Sequence, residues 1–372
     1  MAQNKQRFEG EYMFSIELSK KRECFCILFL AVLLIIQAAT CKIFAEENYE
    51  EGEGIDDTPE QSEKEEKAPE EKKKYIKWID FTVPHTALKD AMNADISSRK
   101  TGGNISWIEI LAYLASRNGG NFASYKKTDI TVLLDKLDGT NKISDLATNK
   151  NLYSYYLEAY SAVLGGMVGS YTVEQKDEAG NVTYEQKYGL KAFSPFARGY
   201  YYGDFDDFGN SRSYGYKRRH LGHDMTGSVG TPIIAVESGY VEAVGWNRFG
   251  GWRIGIRSFD GKRYYYYAHL RKNHPYNDIY EGKIISAGEV IGYLGMTGYS
   301  TKENTNNINT PHLHYGLQII FNPVQKDGVN QIWIDLYEIT KFLAANRSAV
   351  YKDAKSGEFY SKIRIIDDNM PD

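Results

Sequence analysis

The chain has 372 residues, 25% of them charged, and a net charge of −4 at pH 7. That length holds two domains with separate cores, and the charge balance lacks the basic excess of a general nucleic-acid binder, so no nucleic-acid partner is expected. All three cysteines, Cys24, Cys26 and Cys41, lie in or beside one N-terminal apolar stretch, so the rest of the chain forms no disulfide and offers no thiolate to a metal.

Residues 1–23 read as a cytoplasmic tail ending near Lys20-Lys21-Arg22. The apolar run 24–45 follows, and acidic residues follow that. This asymmetry predicts a cytoplasmic N-terminus with everything after Ala45 exported. The apolar core is short for a span of roughly 20 residues. Two readings therefore stand: a single-pass transmembrane anchor in the cytoplasmic membrane, favoured by the long leading tail, or a signal segment cut near Ala45, which makes the protein secreted. Residues 46–74 are almost all Glu, Lys, Asp, Pro and Gly, which reads as a disordered acidic linker.

Residues 75–170 read as an α-helical domain. Ser106-Trp107-Ile108-Glu109 has the form of a capping box. Ile108, Leu111, Ala112 and Ala115 then follow at helical spacing, until Gly119-Gly120 stops the helix. Asp129 is expected to cap a shorter helix carrying Val132, Leu133 and Leu137. A third helix covers 151–164 and stops at Gly165-Gly166. No catalytic constellation falls here. His85 reads as a surface histidine, and Tyr153, Tyr155, Tyr156 and Tyr160 read as packing. A protein partner is the role left open for this domain.

Residues 171–190 predict a β-hairpin connection about a turn at Gly180-Asn181. From 191 to 345 the pattern changes to short strands rich in Val, Ile and Tyr and punctuated by Gly, at 233–236, 240–246, 252–258, 263–269 and 312–320, with a helix at 335–345. Residues 346–372 read as a polar C-terminal tail.

Five of the seven histidines fall in His220-Leu221-Gly222-His223-Asp224, Tyr267-Ala268-His269-Leu270 and His312-Leu313-His314. Two residues apart on a strand, His312 and His314 share one face, so both can enter one site, one as a ligand and one as an acid/base group. His220 and Asp224, about 13 Å apart on a flat strand, need a bend to meet at one metal, and Gly222 permits it. By the same alternation His223 points away and reads as a packed or supporting histidine. Two imidazoles, one carboxylate and an open position for water form a catalytic arrangement, whereas a structural zinc takes four protein ligands.

With these clusters come Gly230-Thr231-Pro232-Ile233-Ile234-Ala235-Val236, Ser238-Gly239-Tyr240-Val241, Gly288-Glu289-Val290-Ile291-Gly292, Thr297-Gly298-Tyr299-Ser300 and Pro311-His312-Leu313-His314. Together they resemble the lysostaphin-type zinc metallopeptidases, the M23 peptidoglycan endopeptidases. The resemblance implies one Zn²⁺ per chain held by His220, Asp224 and His314, with His312 and His269 as the catalytic histidines. It also implies an antiparallel β-sheet domain with a groove over 191–345. The expected fold class is thus α+β and multidomain: an N-terminal membrane segment, an α-helical domain, then the M23-like peptidase domain. The chain departs from the family in His223, where an apolar residue is usual, and in a polar insert, 301–310, expected as a mobile wall of the groove. The implied function is zinc-dependent hydrolysis of peptide stems or cross-bridges of bacterial peptidoglycan on the extracytoplasmic side of the cell membrane. The alternatives are a catalytically silent scaffold that binds cell wall or a protein partner, and a secreted protease of ordinary proteins. The intact set of five residues favours the enzyme.

Overall fold

The computed structural model describes residues 75–371 apart from 177–179, 214–216 and 328–329. The run 24–45 and the linker 46–74 lie outside the described residues, and among the described residues no helix is long and apolar enough to cross a membrane. An extended strap, 75–84, leads directly into α1 (His85–Lys100). Then comes α2 (Trp107–Asn118), which ends at Gly119 in the left-handed conformation, φ 61°. The Ser106–Glu109 capping box does not form: Ser106 makes no side-chain cap. Asp95 of α1 accepts from the Trp107 N–H, at 2.9 Å, so a neighbouring helix satisfies one of the free N–H groups of the first turn.

In α3 (Lys127–Leu134) the Asp129 carboxylate accepts from the Lys126 N–H at 2.8 Å. After the single turn α4 (Ile143–Leu146), helix α5 (Lys150–Leu164) begins at Asn149, whose side chain accepts from Leu152 N–H. A hairpin follows, β1 (Val168–Lys176) and β2 (Val182–Leu190).

The next strands are β3 (Gly203–Asp204), the paired β4 (Ser211–Ser213) and β5 (Lys217–Arg219), β6 (His223–Thr226) and β7 (Pro232–Ile234). The long strands β8 (Gly239–Asn247), β9 (Gly251–Ser258) and β10 (Arg263–Ala268) come after them. Short β11 (Ile284–Ile285) and β12 (Val290–Tyr293) precede β13 (His312–Ile319) and β14 (Ile332–Trp333). Helix α6 (Tyr337–Leu343) is shorter than the 335–345 expected. The last residues are not a tail: they form β15 (Val350–Lys352), β16 (Phe359–Ser361) and β17 (Ile363–Asp367). Ile365 of β17 is buried against Val173 of β1, which its strand pairs, so a composition that reads as polar still carries one apolar face.

The main sheet is antiparallel, in the order β11-β8-β9-β10-β13-β6-β3, with β14 also on β13. One contiguous apolar core collects Leu88, Leu111 and Tyr160 from the helices and Ile254, Tyr265 and Leu317 from the sheet. The residues read as a helical domain and those read as a peptidase domain share it, within one compact unit. Arg263, 2% exposed, ties the two parts. Its guanidinium donates to both oxygens of Glu237, at 2.8 and 3.0 Å, and to the Ala162 carbonyl of α5 at 2.9 Å. Gly166 is needed beside this pair, because a Cβ there would stand 1.6 Å from Glu237 Oε1.

Candidate metal centre

Strand β13 alternates: Leu313 and Tyr315 enter the core, and His312 and His314 face the other way, partly buried. In the antiparallel register His314 lies opposite Asp224 of β6, and Tyr315 lies opposite His223. Cross-strand pairing thus delivers a carboxylate beside His314 and sends His223 to the opposite face. His220 precedes β6 in a bend, and it meets Asp224 at 3.0 Å, Nε2 to Oδ1. Gly222 serves a closer purpose than flexibility: a Cβ there would lie 2.4 Å from His314 Cε1.

His220 Nε2 and His314 Nδ1 stand 2.9 Å apart, and His314 Nδ1 is 2.9 Å from Asp224 Oδ1. The three residues form a metal-type cluster among the described residues. Three donor atoms at these separations leave a point about 2 Å from each, just off their plane, the distance that zinc keeps to nitrogen and oxygen. Two imidazole nitrogens facing one carboxylate oxygen suit a divalent cation better than a hydrogen-bond network, so the residues present fit the metal.

The surroundings fix the ligands. His220 Nδ1 donates to the Asp207 carbonyl at 3.1 Å, which leaves Nε2 for the metal. Arg212 donates to Asp224 Oδ2 at 2.9 Å and to Asp207 Oδ2 at 2.8 Å, so the oxygen of Asp224 outside the triangle is occupied. Without a cation, burial pulls the His220 imidazolium down, but bonds to Asp207 and Asp224 outweigh it and raise its pKa to about 9. Burial pushes the Asp224 carboxyl up, yet bonds from His220 and His314 hold it well below the usual carboxylate range. His314 is lowered by burial, against the pull of Asp224, and stays a neutral ligand. His223 is fully buried and pairs with Asp204 and Asp207, a supporting role consistent with the reading of it above.

Two further imidazoles complete the site. His312 Nδ1 donates to the Thr310 carbonyl at 2.8 Å, and its Nε2 lies 3.7 Å from Asp224 Oδ1. His269 Nδ1 donates to the Thr297 carbonyl at 2.8 Å. A carbonyl can only accept, so each ring carries a proton on Nδ1, and Nε2 is the nitrogen left bare when the ring is neutral. The two rings meet at 4.8 Å between centroids. Burial, then the neighbouring His312 and His314, hold His269 well below the ordinary histidine range. His269 has φ 62°, a strained value for a side-chain residue, and Tyr299 stacks on it at 5.8 Å and 24°.

All five residues expected from the sequence therefore meet in one place. Asp207, Arg212, Asp204 and Tyr299 were not anticipated in these roles; the acidic run Asp204-Phe205-Asp206-Asp207 just ahead of the first histidine cluster was the available signal. The 301–310 insert is fastened rather than loose. Asn304 accepts from Trp252 Nε1 at 2.9 Å and from Asn273 N–H at 2.8 Å, and Asn306 bridges to Thr297.

An antiparallel sheet that gathers two histidines and an aspartate around one point, flanked by two imidazoles with bare nitrogens, has the architecture of a metallohydrolase. Residues 218–329 match the model of Peptidase family M23, and this segment is an M23 peptidase domain, of a family of zinc-dependent metallopeptidases. The chain is 43% identical over 110 residues to the L-Ala–D-Glu endopeptidase of Bacillus subtilis, covering 30% of this chain and 32% of that protein. It is 39% identical over 97 residues to lysostaphin of Staphylococcus simulans, covering 26% and 17%. The chain thus spans about a third or less of the curated relatives it matches. Among solved structures, the catalytic domain of lysostaphin from Staphylococcus simulans aligns at 29% identity and a TM-score of 0.29, covering 38% of this chain and 92% of that one.

Proposed function

We propose that the chain is a zinc-dependent endopeptidase that hydrolyses peptide stems or cross-bridges of bacterial peptidoglycan outside the cytoplasmic membrane. The observation that carries this reading is the triangle of His220, Asp224 and His314 with the bare nitrogens of His312 and His269 beside it. The relatives that share this segment are named as an endopeptidase for an L-Ala–D-Glu bond and as lysostaphin, which supports a wall peptide as substrate. Zinc, when bound, supplies a Lewis acid that polarises the scissile carbonyl and makes water a nucleophile near neutral pH.

The residues do the rest. His312 Nε2, bare and held by Thr310, takes the proton of the attacking water and passes it to the departing amine. His269, kept neutral by burial and with its Nδ1–H donated to the Thr297 carbonyl, accepts a hydrogen bond from the attacking water at Nε2 and orients it. Asp224, with its second oxygen held by Arg212, keeps its place through the cycle. On this reading the run 24–45 takes the domain out of the cytoplasm, as an anchor that keeps it at the outer face of the membrane or as a signal whose cleavage near Ala45 makes it secreted. A reporter enzyme active only in the cytoplasm, fused after Asp372, should be silent, and an active fusion would sink the wall-substrate reading.

The decisive test separates ligand from catalyst. His314→Ala should lose most of its zinc, while His312→Ala should keep it and stop releasing peptides from purified wall. A His312→Ala protein that purifies without metal would show that the two roles are exchanged.

A further inference from the structure

The helical part carries an open cavity that shares no residue with the metal centre. Along the strap 75–84, Ile79, Phe81 and Val83 are buried, at 5% exposure or less. Strand-like alternation therefore turns Trp78, Asp80 and Thr82 outward together. The strap is pinned in place. The Tyr155 hydroxyl donates to the Trp78 carbonyl at 3.3 Å, and the Thr82 hydroxyl donates to the Gly120 carbonyl at 3.1 Å. Between the strap, the loop after α2 and helix α5 lies a cavity of about 600 Å³, within the range of small-molecule sites.

Its lining is unusual in combination. Trp78 is 66% exposed, and Tyr155 and Tyr156 meet edge to face at 5.1 Å and 75°, so ring faces of different orientation border the space. Gly120, at φ 84°, lets the loop approach Tyr156, whose hydroxyl would be 2.4 Å from a Cβ there. Asp80, Asn121 and the Tyr156 hydroxyl add polar groups, and no Lys, Arg or His lines the cavity.

We propose that this cavity binds an uncharged saccharide. A sugar ring has an apolar C–H face and a rim of hydroxyls. The negative faces of Trp78 and the tyrosines attract the former, and the carboxylate of Asp80 and the amide of Asn121 match neighbouring hydroxyls. An anionic ligand would meet Asp80 with no cation to offset it. An alkylammonium would satisfy Asp80 and one ring, but it would leave most of the volume empty and Asn121 and Tyr156 unused. If the function proposed above holds, on which this last step rests, the saccharide at hand is the glycan that bears the peptides.

The test uses the full chain and the N-acetylglucosamine tetramer, which has no stem peptide to cut, so its outcome is independent of the peptidase. Calorimetry should show saturable binding. Trp78→Ala and Asp80→Asn should each weaken it by about tenfold or more, with unchanged circular dichroism and zinc content, and Trp78→Phe should retain most of it. No saturable binding, or equal binding by all variants, overturns the proposal. So does binding of pentylamine without binding of the tetramer, which would make the cavity an ammonium site.

Discussion

At the scale of single residues, the centre is a contest between protons and metal. Metal-free His220 is held at a pKa of about 9 because bonds to Asp207 and Asp224 outweigh its burial. At pH 7 it is therefore an imidazolium, and coordination through Nε2 requires it to be neutral. Zinc binding at neutral pH should release a proton from His220, and affinity should rise with pH until about 9. Binding enthalpies in two buffers of different ionisation enthalpy should differ; equal values would mean that His220 is already neutral. Gly222 gives a steric counterpart. Gly222→Ala puts a methyl 2.4 Å from His314 Cε1 and should cost about 10- to 100-fold in zinc affinity, the usual effect of disturbing a ligand's support. Zinc titration of the variant checks this, and undiminished affinity would mean that the β6 bend can give way. The cluster was legible because histidines two apart on a strand share a face and a His and Asp four apart can meet across a bend; which of them would be ligands was implied by the family resemblance alone. Arg212 and Asp207 were not legible, since supporting groups reach the ligands through space at no set spacing.

At the scale of elements, short-range patterns were informative where nothing competed with them. Asp129 accepts an N–H at the start of α3, where a capping residue was expected, and the strands through β13 fall near their alternating patterns. Ser106 makes no side-chain cap, and Asp95 instead takes the free Trp107 N–H of the first turn, a contact between helices that no local window contains. The insert shows the opposite limit. Its polar residues lack apolar surface to pack, yet Asn304 bonds to Trp252 and Asn273, and Asn306 bridges to Thr297, the residue whose carbonyl holds His269. Replacing 301–310 with a short glycine link should leave zinc content unchanged and alter the rate or range of peptides cut, read by mass spectrometry of wall digests. Identical digests would place the insert outside the groove.

At the scale of the whole molecule, the boundary near residue 170 marks a change of secondary structure and not a break in the core. The Arg263–Glu237 pair, bonded to Ala162, joins helices to sheet with both side chains at 7% exposure or less. Arg263→Ala leaves Glu237 buried without its partner and should cost about 3 to 5 kcal/mol, measurable by denaturant unfolding. Residues 191–345 alone should unfold far more readily than 75–372, because that fragment lacks the helices and β17 with its Asp367–Lys191 pair at 2.7 Å. An equally stable fragment would restore the two-domain view. This sharing was invisible in the sequence because its contacts, such as Arg263 to Ala162, join residues 101 positions apart.

The pairing of β13 with β6 joins residues ninety positions apart. Asp224 and His314 become neighbours only when that ladder closes, so an extended chain has histidines but no place for a cation. Folding then acts as the licensing step. Uptake of zinc during refolding should therefore lag behind formation of the sheet.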